Sequence, residues 1–121
     1  MSANRRYCLA VDLKDEPQLI EQYKQYHMPD KVWPEITDSI KNAGIEDMEI
    51  YITGNRLFMI MEVNDSFDFD AKASADTDNT KVQEWEELMW NFQSPLKWAK
   101  PGEKWVMTEM IFKLARQEQK K

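Results

Sequence analysis

The chain has 121 residues, enough for one domain with its own hydrophobic core and too few for two ordinary domains. Hydrophobic residues make up 42% of it, and the formal net charge is −6. An acidic chain without a basic stripe is not expected to bind nucleic acid or an anionic membrane surface.

Cysteine content and hydropathy exclude further classes. With Cys8 as the only cysteine, neither an internal disulfide nor a metal site built on several thiolates is available. The first residues do not resemble a signal peptide, and no apolar run approaches the roughly 20 residues that span a bilayer. We therefore expect a cytoplasmic protein.

The first third of the chain predicts a strand followed by two helices. Residues 6–13 alternate with period two, which is typical of a strand. An apolar stripe at helical spacing then predicts a helix that ends near His27, because Pro29 disfavours helical dihedrals in the residue before it. Pro34 begins a second helix and Gly44 ends it, so His27 lies at the bend between two helices.

The remainder predicts a hairpin, two helices and a last strand. Gly54-Asn55 is suited to the tight turn of the hairpin. The predicted elements are strands at 47–53 and 56–63, a short helix around 67–75, a helix over 82–92 and a fourth strand over 104–114.

This order of elements is the ferredoxin-like β-α-β-β-α-β pattern, an α+β fold in one domain spanning 1–121. Its helices cover one face of an antiparallel sheet and leave the other face open. Because the strands are apolar on both faces, a second copy of the chain is the most economical cover. We expect a homodimer of the dimeric α/β-barrel type, with two sheets face to face and a pocket in each protomer.

The stretch YKQYHMPDKVWPEI carries the strongest chemical signal. It contains the only histidine, His27, whose ordinary pKa near 6.5 suits proton transfer at neutral pH. Tyr23 lies one helical turn earlier, so both side chains can face one space. A histidine that merely caps a helix end is the competing interpretation of His27.

Five tryptophans are many for a chain of this length, and indole faces suit the apolar C–H patches of sugar rings. We assign Trp33 and Trp85 to a ligand, and Trp105 and Trp90 to packing. No glycine-rich phosphate loop and no His/Cys metal set are present in the sequence. The remaining chemistry is proton transfer that needs no metal and no cofactor.

With these residues, the chain resembles the L-rhamnose mutarotase family, small dimeric α+β proteins that interconvert the anomers of a deoxy sugar. The similarity covers residues 6 to about 114 and rests on Tyr23-x-x-x-His27, on Trp33-Pro34-Glu35, on the hairpin IYITGNRLFMIMEV and on Trp85. It implies that His27 is the proton donor, that Tyr23 contacts the sugar and that Trp85 lines the site.

Two departures from the family pattern concern the sugar. The family often has paired tryptophans where this chain has Trp85-Glu86, and a tyrosine where this chain has Met48. Glu86 is also taken as a candidate sugar-binding residue. The ending PLKWAKPGEKWVMTEMIFKL looks more like the branch associated with L-fucose than like the rhamnose enzymes.

The resemblance implies an isomerase that opens and recloses the ring of a 6-deoxy-aldohexose, L-fucose or L-rhamnose. His27 is assigned as the acid at the ring oxygen, and the second proton acceptor is Glu86, Glu109, Glu35 or water. Two alternatives stay open: a cofactor-free or haem-dependent monooxygenase of the dimeric ferredoxin-like type, and a protein that binds a small metabolite without catalysis.

Overall fold

The computed structural model describes residues 5–115 as an antiparallel sheet with helices. The elements are β1 Arg5–Leu13, α1 Pro17–Tyr26, α2 Pro34–Asn42, β2 Ile45–Thr53, β3 Arg56–Val63, α3 Phe69–Thr77, α4 Thr80–Trp90, β4 Gln93–Ser94 and β5 Val106–Met107. Of the helices in this described part, none is long and apolar enough to cross a membrane. The predicted α+β ferredoxin-like fold is confirmed.

The sheet is centred on β1 and β3. Its strand order is β2-β3-β1-β4, and β5 also pairs with β1, on the edge that β4 occupies. The β2–β3 hairpin turns at Gly54, whose φ of 57° at the first central position requires a glycine-like conformation. Asn55 has no positive φ, so glycine alone supplies the special geometry of the predicted turn.

Prolines and a glycine define the two helices of the crossover. Pro17 and Pro34 occupy first turns, where their missing N–H groups would have no intrahelical partner. Gly44 follows α2 with φ 96°, and an added Cβ there would lie 2.7 Å from the side chains of Asn64 and Ser66. The end of α2 is therefore fixed by both backbone conformation and space.

The helix-covered face of the sheet holds the core. Alternate residues of β1 and β3, among them Val11, Leu13, Leu57 and Val63, are almost fully buried, because they face the helices. Around Val11 and Leu13 pack Tyr23 of α1, Ile36 of α2 and Val82, Trp85 and Met89 of α4. Two of these core residues, Tyr23 and Trp85, also contact the ring of His27.

The prediction of a fourth strand over 104–114 is wrong in length. Only Val106–Met107 form β5, opposite Ala10 and Leu9. Thr108 still donates its backbone N–H and its hydroxyl to the Cys8 carbonyl, at 2.9 and 2.7 Å. Beyond it the apolar side chains are exposed, Ile111 at 90%. Alternation shows that a segment can pair, whereas a neighbouring strand decides whether it does.

The end of α2 gives a stability prediction. Replacing Gly44 by alanine should destabilise the fold by more than about 2 kcal/mol, because a left-handed φ is added to a steric clash. The urea midpoint measures this change. Gly102→Ala is the matched control: its φ is 81° but an added Cβ meets open space, so a loss of only about 1 kcal/mol is expected. Equal losses at the two glycines would contradict the steric part of the argument.

Candidate active site

A cavity of about 650 Å³ lies on the helix-covered face of the sheet. Its apolar wall includes Leu9, Met48, Ile50, Met59 and Met61 from β1, β2 and β3. Polar and aromatic side chains from the helices and the later chain also line it, among them Tyr23, His27, Trp85, Glu86, Gln93 and Lys104. The volume is in the range of small-molecule sites.

The structure brings together four of the five predicted site residues. Tyr23, His27, Trp85 and Glu86 all line the cavity. Trp33 does not; its ring lies edge-on to that of Trp85, with centroids 5.1 Å apart. Trp33 therefore packs against a wall of the cavity and does not form the wall itself.

The backbone at the end of α1 orients His27. The His27 N–H bonds to the Lys24 carbonyl at 3.1 Å, a tightened last turn, so it does not occupy the Tyr23 carbonyl. The imidazole Nδ1 lies 2.7 Å from that Tyr23 oxygen. Because a carbonyl can only accept, Nδ1 carries the hydrogen. In the neutral ring, Nε2 is then the nitrogen with the free lone pair.

Aromatic rings hold the imidazole on its other sides. The Tyr23 ring lies 4.3 Å from it at an interplanar angle of 30°, and the Trp85 ring meets it edge-on at 5.6 Å. Tyr26 and Trp33 in turn pack edge-on against Trp85. The imidazole is therefore constrained by ring contacts as well as by its hydrogen bond.

Burial sets the protonation state of His27. Loss of water around the ring lowers its pKa below 6.5, and the hydrogen bond to the Tyr23 carbonyl only partly opposes this. A lowered pKa keeps the imidazole neutral at pH 7. The resting residue can therefore accept a proton at Nε2 before it donates one.

Tyr23 is the complementary donor. Burial raises the pKa of its phenol to about 12, with a smaller contribution from the negative charge of Glu86, while a hydrogen bond from the Gln93 side chain acts in the opposite direction. The phenol therefore keeps its proton at neutral pH. A buried O–H of this kind is suited to hydrogen bonding with a ligand oxygen.

The Glu86 side chain is held by Lys104, a residue that the sequence analysis did not predict for the site. Lys104 Nζ donates to the Glu86 carboxylate at 3.1 Å and to its backbone carbonyl at 2.9 Å, and lies 4.7 Å from the centre of the Trp90 ring. Of the three carboxylates predicted as proton acceptors, Glu86 lines the cavity, while Glu35 and Glu109 are exposed and outside its lining.

Three lining residues were missed because their positions depend on long-range packing. Gln93 and Lys104 lie in segments without a chemical motif, and Trp105, assigned to packing, lines the cavity while also contacting the core. A fourth lining residue, Met48, could have been predicted, because the family often has a sugar-contacting tyrosine at this position. It lies in the apolar wall of the cavity.

Comparison with known proteins gives consistent results. A family model described as L-rhamnose mutarotase matches residues 6–114. A protein named L-fucose mutarotase from Xanthomonas campestris pv. campestris is 44% identical over 111 residues, which cover 92% of this chain and 89% of that protein. An L-rhamnose mutarotase from Shigella flexneri serotype 5b is 28% identical over 103 residues, 84% of this chain and 89% of that protein.

The fold also has a counterpart among solved structures. The crystal structure of an L-rhamnose mutarotase from Formosa agariphila superimposes with a TM-score of 0.64 at 22% identity, covering 90% of this chain and 97% of that one. At this identity the likeness concerns the fold.

The state of His27 can be measured directly, because the chain has a single histidine. We expect its NMR titration midpoint below 6.5 in the folded protein and near 6.5 in urea, with the hydrogen on Nδ1 in the neutral form. Between the two midpoints the unfolded chain binds the proton more readily, so this residue's contribution to stability falls as the pH drops from 6.5 through the folded pKa. A folded midpoint above 6.5, or hydrogen on Nε2, would contradict the described geometry.

Proposed function

The chain belongs to the L-rhamnose mutarotase family, and we propose that the sugar whose anomers it interconverts is L-fucose. The reaction is that of an isomerase. The higher identity to the L-fucose enzyme from Xanthomonas than to the L-rhamnose enzyme from Shigella supports this choice. Family membership favours neither the monooxygenase nor the non-catalytic alternative. The cytoplasmic location stays a prediction from the sequence.

One observation carries the proposed chemistry: the imidazole of His27 lies at the cavity with Nδ1 tied to a carbonyl and Nε2 left for proton transfer. Ring opening removes a proton from the anomeric hydroxyl and adds one to the ring oxygen. Both oxygens are bonded to the anomeric carbon, so a single nitrogen placed between them can serve both. We assign both transfers to Nε2.

The steps balance in protons and electrons. Neutral His27 takes the anomeric proton at Nε2 while the aldehyde C=O forms and the C–O bond to the ring oxygen breaks, its electron pair going to the ring oxygen as an alkoxide. The imidazolium then gives this proton to the ring oxygen, which is the acid role expected for His27. After rotation of the free aldehyde, the reverse steps close the ring on its other face and restore neutral His27.

The other lining residues supply binding. The proposed sugar lies against the Trp85 ring, and Tyr23 donates its O–H to a sugar oxygen. The apolar wall of Met48, Met59 and Met61 suits the methyl group that a 6-deoxy sugar carries in place of a hydroxymethyl. Glu86, held by Lys104, is proposed as an acceptor for a sugar hydroxyl.

His27→Gln should lower the enzyme-dependent exchange between L-fucose anomers by about 10²–10⁴-fold, the usual contribution of a general acid–base group. Saturation-transfer NMR measures this exchange after subtraction of the spontaneous rate. Lys24→Gln, an exposed change on the same helix, serves as the control and should leave the rate unchanged. Full activity of His27→Gln would refute the assignment.

The pH dependence separates the proposed shuttle from an enzyme that starts with protonated His27. Because the shuttle begins with neutral imidazole, kcat/KM should be constant near pH 7 and fall as the pH drops through the lowered pKa of His27. If the free enzyme needed the imidazolium, kcat/KM would instead fall as the pH rises. The second profile would contradict the proposed order of transfers.

We also propose that the chain forms a homodimer through the uncovered face of the sheet. Phe58 and Ile60 of β3 point away from the helices and are only partly covered, and Tyr51 beside them is exposed. The segment after β5 adds exposed Met110, Ile111, Phe112 and Leu114. Apolar surface on this scale is typical of an interface.

Sedimentation equilibrium should give about twice the chain mass of 14.4 kDa for the wild type and a shift toward 14.4 kDa for Ile60→Lys. A lysine on this face is solvated in the monomer but would lose its water between two sheets. Met28→Lys, at an exposed apolar position away from the sheet, is the control and should remain dimeric. A monomeric wild type at micromolar concentration would refute the proposal.

A further inference from the structure

Gln93 is a buried polar side chain whose carbonyl oxygen has no hydrogen-bond partner among the described residues. Only 4% of the residue is exposed, and its Oε1 is fully buried. A buried amide oxygen without a partner is unfavourable by roughly 1–3 kcal/mol. Such groups are few in folded proteins, and each calls for an explanation in the function or the hydration of its surroundings.

The position of Gln93 is set by the sheet. It begins β4, three residues after α4 ends at Trp90, and pairs with Leu13 of β1. Cross-strand partners point to the same face. Since Leu13 is fully buried on the helix-covered face, Gln93 points to that face as well, and it lines the cavity with Tyr23 and His27.

Two neighbours of Gln93 are apolar. Its cross-strand partner Leu13 and its chain neighbour Phe92 both belong to the core, and neither side chain offers a hydrogen-bond donor to the amide oxygen. The side-chain amide opposes the rise in the pKa of the Tyr23 phenol, and both side chains line the cavity. Gln93 and Tyr23 together therefore offer one acceptor and one donor on the same side of the cavity.

We propose that Gln93 is a specificity-determining residue whose Oε1 accepts a hydrogen bond from a ring hydroxyl of the bound sugar. This inference rests on the proposed function. A sugar ring carries neighbouring hydroxyls that each donate and accept, so the acceptor of Gln93 and the O–H of Tyr23 match two adjacent sugar oxygens. L-fucose and L-rhamnose differ only in the configuration of two ring hydroxyls, and a fixed acceptor responds to such a difference.

The test compares wild type with Gln93→Met, which keeps the length of the side chain and removes both polar groups. We expect KM for L-fucose to rise about tenfold to a hundredfold with a smaller change in kcat, because the lost contact forms in the bound ground state as well as in the transition state. Gln22→Met, an exposed change on α1, is the matched control and should behave as wild type.

Deoxy analogues of L-fucose, each lacking one ring hydroxyl, identify the contact. For one analogue, the rise in KM of the wild type relative to L-fucose should match the rise that Gln93→Met causes with L-fucose. The KM of Gln93→Met should then be the same for this analogue and for L-fucose. Equal penalties for every analogue in both proteins would overturn the inference. Gln93→Glu, which keeps an acceptor oxygen, provides a second variant and should retain more affinity than Gln93→Met.

A merely structural role predicts the opposite pattern. If Gln93 served only to support Tyr23, Gln93→Met would lower the urea midpoint and the kcat while leaving discrimination between L-fucose and L-rhamnose unchanged; that result would overturn the inference. Activity of the wild type on L-fucose with identical kinetics for Gln93→Met would overturn it while leaving the proposed function intact. A wild type that accelerates neither sugar would overturn both.

Discussion

The hydrogen bond between His27 Nδ1 and the Tyr23 carbonyl is the contact on which the site depends. It exists because the last turn of α1 tightens, so that the His27 N–H bonds to Lys24 and leaves the Tyr23 carbonyl for the side chain. Pro29 keeps the helix from continuing. A local backbone feature thus selects the tautomer of the imidazole, and the tautomer decides which nitrogen meets a ligand.

The electrostatics of the cavity follow from burial more than from charge pairs. Desolvation lowers the pKa of His27 and raises that of Tyr23, so both side chains are neutral near pH 7. The Glu86 carboxylate, whose charge acts on Tyr23, is paired with Lys104 at 3.1 Å. A neutral acceptor, a neutral donor and a paired charge form a suitable environment for a neutral sugar, because a proton can move there without leaving an isolated buried ion.

Local patterns predicted most of the fold, and long-range packing accounts for what they missed. Period-two alternation, helical spacing and Pro34 predicted the type and order of the elements. The failure at 104–114 arose because alternation carries no information about which neighbour a strand has. Both Trp33 and Trp85 were assigned to a ligand, but the structure places only Trp85 in the cavity lining, with Trp33 packed against its ring. Gln93 gave no signal, since a polar residue after an amphipathic helix is ordinary.

The short strand β4 places Gln93 of the cavity lining beside β1. The pairing of β4 with Asp12 and Leu13 is reinforced by the Lys14 N–H, which donates to the Phe92 carbonyl at 2.8 Å. Asn55 of the hairpin turn donates to the Leu13 carbonyl at 2.9 Å, which ties the neighbouring loop to the same end of β1. Trp85 and Glu86 move with α4, whereas Gln93 is held beside β1 by the pairing of β4. The spacing between these groups and the imidazole of α1 is therefore set by how α1 and α4 pack on Val11, Leu13 and Leu57, so the apolar core determines whether one sugar ring can reach all of them at once.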